Sequence, residues 1–177
     1  MRLILISAAL AAFAAPAAAS PGVDAFKTVC GDTHADFAAV KTALAAPGWT
    51  VTEAAQNPLP GVTPTEGIAR RRIDGGSEIT VNAWTGEKGT YHLTACTVKV
   101  TKITVDAAVQ ETKAWIGFAP ESTAGDKTTW RYSETGGTRA AVAQPAYETA
   151  AAAAGLFFLN VFADNGAAVI DLLKIKS

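Results

Sequence analysis

Two cysteines and two histidines are the residues of this chain whose types and spacing could form a reactive or metal-binding site. Cys30 precedes His34 by four residues, and His92 precedes Cys96 by four residues. Two cysteines and two histidines could complete a tetrahedral zinc site, and a free thiolate beside a histidine could act as a nucleophile. Both possibilities describe a small metal- or thiol-dependent periplasmic enzyme. In an oxidising compartment the cysteines would instead form a disulfide.

The N-terminal residues predict export to such a compartment. Arg2 is followed by the apolar run LILISAALAAFAA, and Ala17-Ala18-Ala19 provides the small residues that a signal peptidase recognises. We therefore predict a signal peptide over residues 1–19, cleavage between Ala19 and Ser20, and a periplasmic or secreted protein. The apolar run is too short to cross a bilayer comfortably, and no later stretch of the sequence is long and apolar enough. The mature chain is thus expected to have no membrane span.

The local patterns around the cysteines favour the disulfide. Cys30 follows Val23 and Phe26 with the spacing of one apolar helix face. Cys96 lies in YHLTACTVKV, whose alternation is typical of a strand. A Cys30–Cys96 bond would attach the first helix to the sheet, and the sequence then predicts neither a metal nor another cofactor.

The elements that must position these residues predict an α+β fold, with antiparallel strands and helices packed on one face. Apolar spacing and helix-ending signals predict helices near 22–30, 34–46 and 105–117, the second with Thr33 as its N-cap. Alternation and turn residues predict strands at 49–54, 67–73, 77–84, 90–100, 128–134 and 138–144, a final hairpin around Asp164-Asn165-Gly166, and a proline-rich loop over 55–66.

The order of these elements indicates an internal duplication. DFAAVKTAL parallels DAAVQETKAW, WTVTE parallels WRYSE, and VNAWTGEKG parallels LNVFADNG, each in the same order along the chain. The chain from residue 20 to 177 is then one domain of two helix-plus-four-strand repeats, 20–101 and 104–177. The alternative is a single meandering antiparallel sheet with helices on one face.

Charge and motifs exclude several classes of function. Removal of Arg2 with the signal peptide leaves 14 basic and 16 acidic residues, whereas a nucleic-acid-binding protein needs a basic surface. The sequence has no glycine-rich phosphate loop after a strand and no Gly-x-Ser-x-Gly elbow. Its carboxylates are scattered, so no acid–base pair stands out. We therefore expect a non-enzymatic binding or protein-interaction module.

One predicted sheet face has the composition of a binding surface. Trp84 is out of phase with the apolar residues of its strand, so Asn82 and Trp84 are expected on the face away from the core. Arg70 and Arg72 on the neighbouring strand are expected beside them. These four residues form the predicted binding surface, whose partner would be another exported protein or a small ligand. The alternative is that Trp84 packs under a loop or against the second repeat, with the arginine stems covering it.

The chain resembles a family of small exported proteins of Gram-negative bacteria that have no established activity. The residues that carry the resemblance are FKTVCGDTHADFAAVKTALAAPGW after the signal peptide, the strand cysteine in LTACTV, and AWIGFAP before WRYSE. The duplicated layout is also similar in architecture to secreted β-lactamase-inhibitor proteins, which present a concave sheet to an enzyme. Neither resemblance implies roles for particular residues.

Overall fold

The computed structural model describes residues 20–53 and 59–177. The predicted signal peptide and most of the N-terminal half of the predicted 55–66 loop therefore lie outside the described residues. The helices are α1 (Pro21–Phe26), α2 (Phe37–Ala43), α3 (Val105–Ile116) and α4 (Tyr147–Ala153), with a π-helical segment at Lys27–Gly31 and a 3₁₀ turn at Gln144–Ala146. The strands are β1 (Thr50–Val51), β2 (Thr63–Asp74), β3 (Ser77–Lys88), β4 (Tyr91–Val100), β5 (Ser122–Ala124), β6 (Lys127–Thr135), β7 (Thr138–Ala141), β8 (Leu156–Asp164) and β9 (Ala167–Lys176).

All nine of these strands join one antiparallel sheet, which confirms the predicted α+β fold. The order across the sheet is β1-β2-β3-β4-β9-β8-β6-β5, and β7 pairs with β6. The central pair is β4 with β9, so the β3–β4 hairpin and the final β8–β9 hairpin meet in the middle of the sheet. From each edge inward the strands follow chain order, as a duplicated unit would give, and the duplication itself stays a prediction.

The two faces of the sheet differ in what covers them. Ile79, Val81 and Ala83 alternate along β3 and are fully buried on the side where α1 and α2 contact this strand and α3 contacts β8 and β9. Because strand side chains alternate between faces, the residues between them point to the opposite face. We call that opposite face the open face, since α1, α2 and α3 all pack on the other side.

The helix starts follow capping chemistry, with one correction to the sequence prediction. The hydroxyl of Thr104 accepts a hydrogen bond from Ala107 N at the start of α3. At α2 the N-cap is Asp36, whose carboxylate accepts from Ala39 N at 2.9 Å. The predicted cap Thr33 instead donates its hydroxyl to Val29 O. It is held by the preceding helical turn, so α2 begins three residues later than expected.

The predicted Cys30–Cys96 disulfide is confirmed. Its two Cα atoms lie 5.5 Å apart, and both cysteines are completely buried in the core between the helices and the sheet. The bond joins the π-helical segment to the central strand β4 and closes a separation of 66 residues. It therefore holds the N-terminal helices on the covered face.

Within residues 20–53 and 59–177, no helix has both the length and the hydropathy of a bilayer span.

Candidate functional site

The open face carries a groove with a volume of about 540 Å³. Its floor is formed by the middle of β3, β4, β9 and β8, and Leu59 stands at its margin. The lining combines aromatic and aliphatic side chains with amide, hydroxyl and charged groups: Leu59, Thr80, Asn82, Trp84, Ala95, Thr97, Lys99, Phe162, Asp164, Val169, Asp171 and Leu173. A cavity of this size and mixed composition is typical of a small-molecule site.

A continuous row of polar side chains crosses the floor of the groove. Strand register places the row in the order Asn82, Thr97, Asp171, Asn160 and Thr129. Thr97 donates its hydroxyl to Asp171 Oδ1 at 2.7 Å, and the Asn160 amide donates to Asp171 Oδ2 at 3.5 Å. Thr129 in turn donates to Asn160 Oδ1 at 3.0 Å. We call these five residues the polar row.

Less polar rows flank the polar row on both sides along the strands. One contains Trp84, Ala95 and Leu173, and the other contains Thr80, Lys99, Val169 and Phe162. Successive rows on one face are about 7 Å apart, so both aromatic rings line the same groove from opposite sides of the polar row. The groove thus has a polar centre between an apolar row and a mixed row in which Val169 and Phe162 are the apolar part.

Asp171 is the ionisable group at the centre of the polar row. Burial raises the pKa of its carboxyl, while the hydrogen bonds from Thr97 and Asn160 and the positive charge of Lys127 act in the opposite direction. Asp171 still keeps a partly exposed surface toward the groove. A ligand in the groove can therefore reach a desolvated carboxyl that is held in place by two donors.

Trp84 lies on the open face, as predicted, but it is packed. Only 5% of the residue is exposed, and it forms a cluster with Val62, Leu93 and Ala95. Val62 belongs to the segment that precedes β2. The side of Trp84 that packs against Val62 therefore lies under a loop, as in the predicted alternative. The ring still contributes to the wall of the groove.

The structure separates the predicted arginines from Asn82 and Trp84. Arg70 pairs with Val81 and Arg72 pairs with Ile79, and directly paired residues of antiparallel strands share a face. Both arginines therefore lie on the helix-covered side. The expectation that they share a face with Asn82 and Trp84 was wrong.

Local contacts explain why a charged side chain is tolerated on that side. The Arg72 guanidinium lies 4.6 Å from the centre of the Trp49 ring and 3.3 Å from Asp74 Oδ2. Arg70 donates to the carbonyl of Ala69 at 2.9 Å. Of the three consecutive arginines of β2, Arg71 lies on the open face, where it pairs with Thr80.

A signal in the sequence could have prevented this error. The two-residue turn Gly75-Gly76 pairs Asp74 with Ser77, and from Glu66 to Asp74 this register places every even-numbered residue of β2 opposite an odd-numbered residue of β3. A tight turn thus fixes which side chains share a face. Similarly, the match between VNAW and LNVF aligns Asn82 with Asn160, so it could have identified Asn160. No sequence pattern singled out Thr97 or Asp171.

A second, more apolar pocket of about 420 Å³ lies at the end of the open face under α4. The Tyr147 ring packs edge-on against Phe158 with their centres 5.8 Å apart. Leu93, Leu156 and Ile175 complete its apolar wall. Helix α4 therefore covers one end of the open face and leaves the groove uncovered.

The two histidines belong to different clusters. His34 Nδ1 lies 3.3 Å from Glu134 Oε2, and Glu134 also pairs with Arg139. His92 Nδ1 lies 2.7 Å from Glu87 Oε1, and its Nε2 lies 3.1 Å from the hydroxyl of Thr85. The structure therefore does not bring His34 and His92 together.

The enzyme alternative that used both cysteines loses its thiolates, because both sulfur atoms are in the disulfide. Within the described part of the chain, no group of three or more His, Cys, Asp or Glu residues is placed to hold a metal ion. The hydroxyl–imidazole–carboxylate chain of Thr85, His92 and Glu87 is the arrangement with catalytic geometry, since its order is that of a nucleophile, a base and an orienting group.

Comparison of the chain with protein-family models, with curated proteins and with solved structures finds no match. The two resemblances drawn from the sequence therefore stay predictions, and the function has to be argued from the site itself.

Proposed function

We propose that the protein is an exported, non-enzymatic binding module that takes its ligand in the groove on the open face. The observation that carries this proposal is the groove itself, in which the polar row lies between the Trp84 and Phe162 rows. A sheet face that met only water would carry polar residues throughout. Here apolar walls surround a few fixed hydrogen-bonding groups, which is how ligand sites combine affinity with orientation.

Export is supported by the predicted signal peptide and by the buried Cys30–Cys96 bond, which is typical of proteins that fold in an oxidising compartment. The intact mass of protein isolated from the periplasm tests both points. We expect a chain that begins at Ser20 and lacks two hydrogens until it is reduced. A mass that begins at Met1, or free thiols in the unreduced protein, would contradict the export proposal.

A groove-filling variant tests the binding proposal. Thr80 lines the groove and is only partly exposed, so Thr80→Trp would place an indole in the ligand volume. Val51→Trp is the matched control, because Val51 is 77% exposed on the edge strand β1 and outside the groove. Each protein is incubated with the small-molecule fraction of a periplasmic extract and examined by native mass spectrometry.

We expect a bound mass on the wild type and on Val51→Trp, and its loss from Thr80→Trp. Equal binding by all three proteins would place the ligand elsewhere. The absence of any bound mass, together with saturable binding by the macromolecular fraction of the same extract, would favour a protein partner over a small ligand.

A second candidate function is acyl transfer at Thr85, His92 and Glu87. In that reaction the Thr85 oxygen attacks an ester carbonyl, His92 Nε2 takes the hydroxyl proton and returns it to the leaving alcohol, and water then hydrolyses the acyl-threonine. The hydroxyl also donates to the carbonyl of Leu93 at 3.1 Å, which competes with proton transfer to His92. The binding proposal therefore ranks first.

Acetylation by p-nitrophenyl acetate tests this second function. An acetyl adduct that Thr85→Val abolishes and Thr94→Val retains would support it, since Thr94 is the cross-strand neighbour of Thr85. The absence of an adduct on Thr85 would contradict it.

A further inference from the structure

The open-face groove contains a carboxylate that no basic side chain pairs with. The ion pairs among residues 20–53 and 59–177 do not include Asp171. Its neighbours Thr97 and Asn160 are neutral donors, each directed at one of its two oxygens. Both oxygens are therefore hydrogen-bonded, but neither donor supplies an opposite charge for the carboxylate.

The cations near the groove are already engaged. Lys99 Nζ lies 2.7 Å from Asp164 Oδ2, so that pair contributes little net charge to the lining. Lys127 lies over the Phe162 ring, with its Nζ 5.9 Å from the ring centre, and its positive charge acts on Asp171 without forming an ion pair with it. Among the lining residues Lys99 and Asp164 pair with each other, so Asp171 contributes the unpaired charge of the lining, and a cation is its complement.

The walls around this carboxylate suit the apolar body of an organic cation. Trp84 and Phe162 lie in the rows on either side of Asp171, and Leu173 is its neighbour on the same face of β9. The face of an aromatic ring can pack against an apolar group and can also attract a cation. The volume of about 540 Å³ fits a small molecule, whereas a stable protein partner would need a far larger contact area.

We propose that the groove binds a small organic cation, with its positively charged nitrogen against Asp171 and its apolar body against Trp84, Phe162 and Leu173. This inference rests on the proposed binding function and specifies its ligand class. The interaction is a charge-assisted hydrogen bond in a partly desolvated site, which is stronger than a bond to a neutral donor.

A matched series of probes tests the charge requirement. 4-Phenylbutylamine, 4-phenylbutan-1-ol and 4-phenylbutyrate share one apolar body and carry a cationic, a neutral and an anionic end group. Their dissociation constants are measured by amide chemical-shift titration, which also reports whether β3, β4, β8 and β9 respond. We expect the amine to bind about tenfold more tightly than the alcohol, and the acid to bind most weakly.

Two variants assign the preference to the groove. Asp171→Asn should remove the tenfold preference for the amine over the alcohol, whereas Asp32→Asn makes the same change at an exposed position outside the groove and should keep that preference. Asp164→Asn provides a test that does not alter Asp171. This variant frees the Lys99 ammonium from its ion pair at the groove, and its positive charge should weaken the binding of the amine without weakening that of the alcohol or the acid.

Equal affinity for the amine and the alcohol, or a preference that Asp171→Asn retains, would overturn the cation proposal. Either result would leave groove binding intact, because the Thr80→Trp experiment tests it separately. Tighter binding of the acid, or no response of the groove strands to the amine, would also overturn the proposal.

Discussion

Asp171 connects the stability of the fold with the proposed ligand site. Its carboxyl is desolvated at the centre of the polar row, and the hydrogen bond from Thr97 offsets only part of the cost of the negative charge. A group that is unfavourable for folding is retained most easily where it meets a ligand. The same desolvation makes a definite prediction for how stability depends on pH.

We expect Asp171→Asn to gain stability relative to the wild type as the pH rises. Because the folded-state pKa of Asp171 is raised, the folded and unfolded states are both protonated at low pH, and the penalty appears as the pH rises from the ordinary aspartate pKa through the raised one. Urea unfolding from about pH 3 to about pH 7 should show this widening difference. A carbon NMR titration of Asp171 with a midpoint at or below the ordinary aspartate value would contradict it.

Ser20 provides a second residue-scale test, at the predicted start of the mature chain. Its backbone nitrogen lies 2.8 Å from Glu111 Oε2, and its hydroxyl lies 3.1 Å from the same oxygen. Cleavage after Ala19 would convert this amide into an ammonium group, so the hydrogen bond would become an ion pair between α1 and α3.

We therefore expect Glu111→Gln to cost about 1 kcal/mol of unfolding free energy in protein that begins at Ser20. In protein that retains residues before Ser20 the cost should be close to zero, because a glutamine oxygen can accept from an amide. Glu148→Gln, in the exposed first turn of α4, is the control in both forms. Equal costs of Glu111→Gln in the two forms would show that the ammonium does not pair with Glu111.

At the scale of the elements, close packing fixes α1 on the sheet. An added Cβ at Gly22 would lie 2.3 Å from Val100 Cγ2, which is well inside van der Waals contact. Helix α1 thus approaches β4 through the absence of a side chain, and the buried Phe26 and Cys30 follow on the same side. The position requires glycine for space and not for an unusual backbone angle.

We predict that Gly22→Ala lowers the free energy of unfolding by about 1–3 kcal/mol, because it overpacks the contact between α1 and β4. In the double variant with Val100→Ala, the loss should be smaller than the sum of the two single losses, since the smaller side chain makes room for the new methyl group. Chemical denaturation of all four proteins measures this coupling. Additive losses would contradict a direct contact as the cause.

The elements also show where a sequence pattern was sufficient and where it was not. Alternation in β3 correctly separated Ile79 from Asn82 and Trp84, because one strand alternates whatever its neighbours do. The faces of Arg70 and Arg72 depended on register with a second strand. The position of the Gly75-Gly76 turn contains that register, because it sets which residues of β2 and β3 pair. The residue types of the two strands do not contain it.

The suspected repeats illustrate the same distinction. VNAWTGEKG and LNVFADNG fall on β3 and β8, which occupy equivalent places on the two sides of the central β4–β9 pair. WTVTE includes the edge strand β1, whereas WRYSE lies in β6, one strand further in. Two short stretches can thus match in sequence without occupying equivalent positions in the sheet.

At the scale of the whole molecule, the disulfide unites parts of the chain that lie far apart in sequence. It joins residues 66 positions apart and ties the N-terminal helices to the central strand. We expect Cys30→Ser with Cys96→Ser to cost about 4 kcal/mol of unfolding free energy, chiefly by releasing the unfolded chain. Urea unfolding of this variant and of reduced wild type should give similar midpoints, and a loss well below 1 kcal/mol in both would contradict the role of the bond as a staple.

The fold class, the disulfide partners and the alternation of β3 were predictable without a structure, because these follow from local periodicity and from the pairing of two cysteines. The candidate site was decided by tertiary structure. Thr97 and Asp171 are 74 residues apart and become neighbours only when β4 pairs with β9. A groove depends on which strands adjoin and which face the helices leave uncovered, and both are settled by long-range packing that no local pattern encodes.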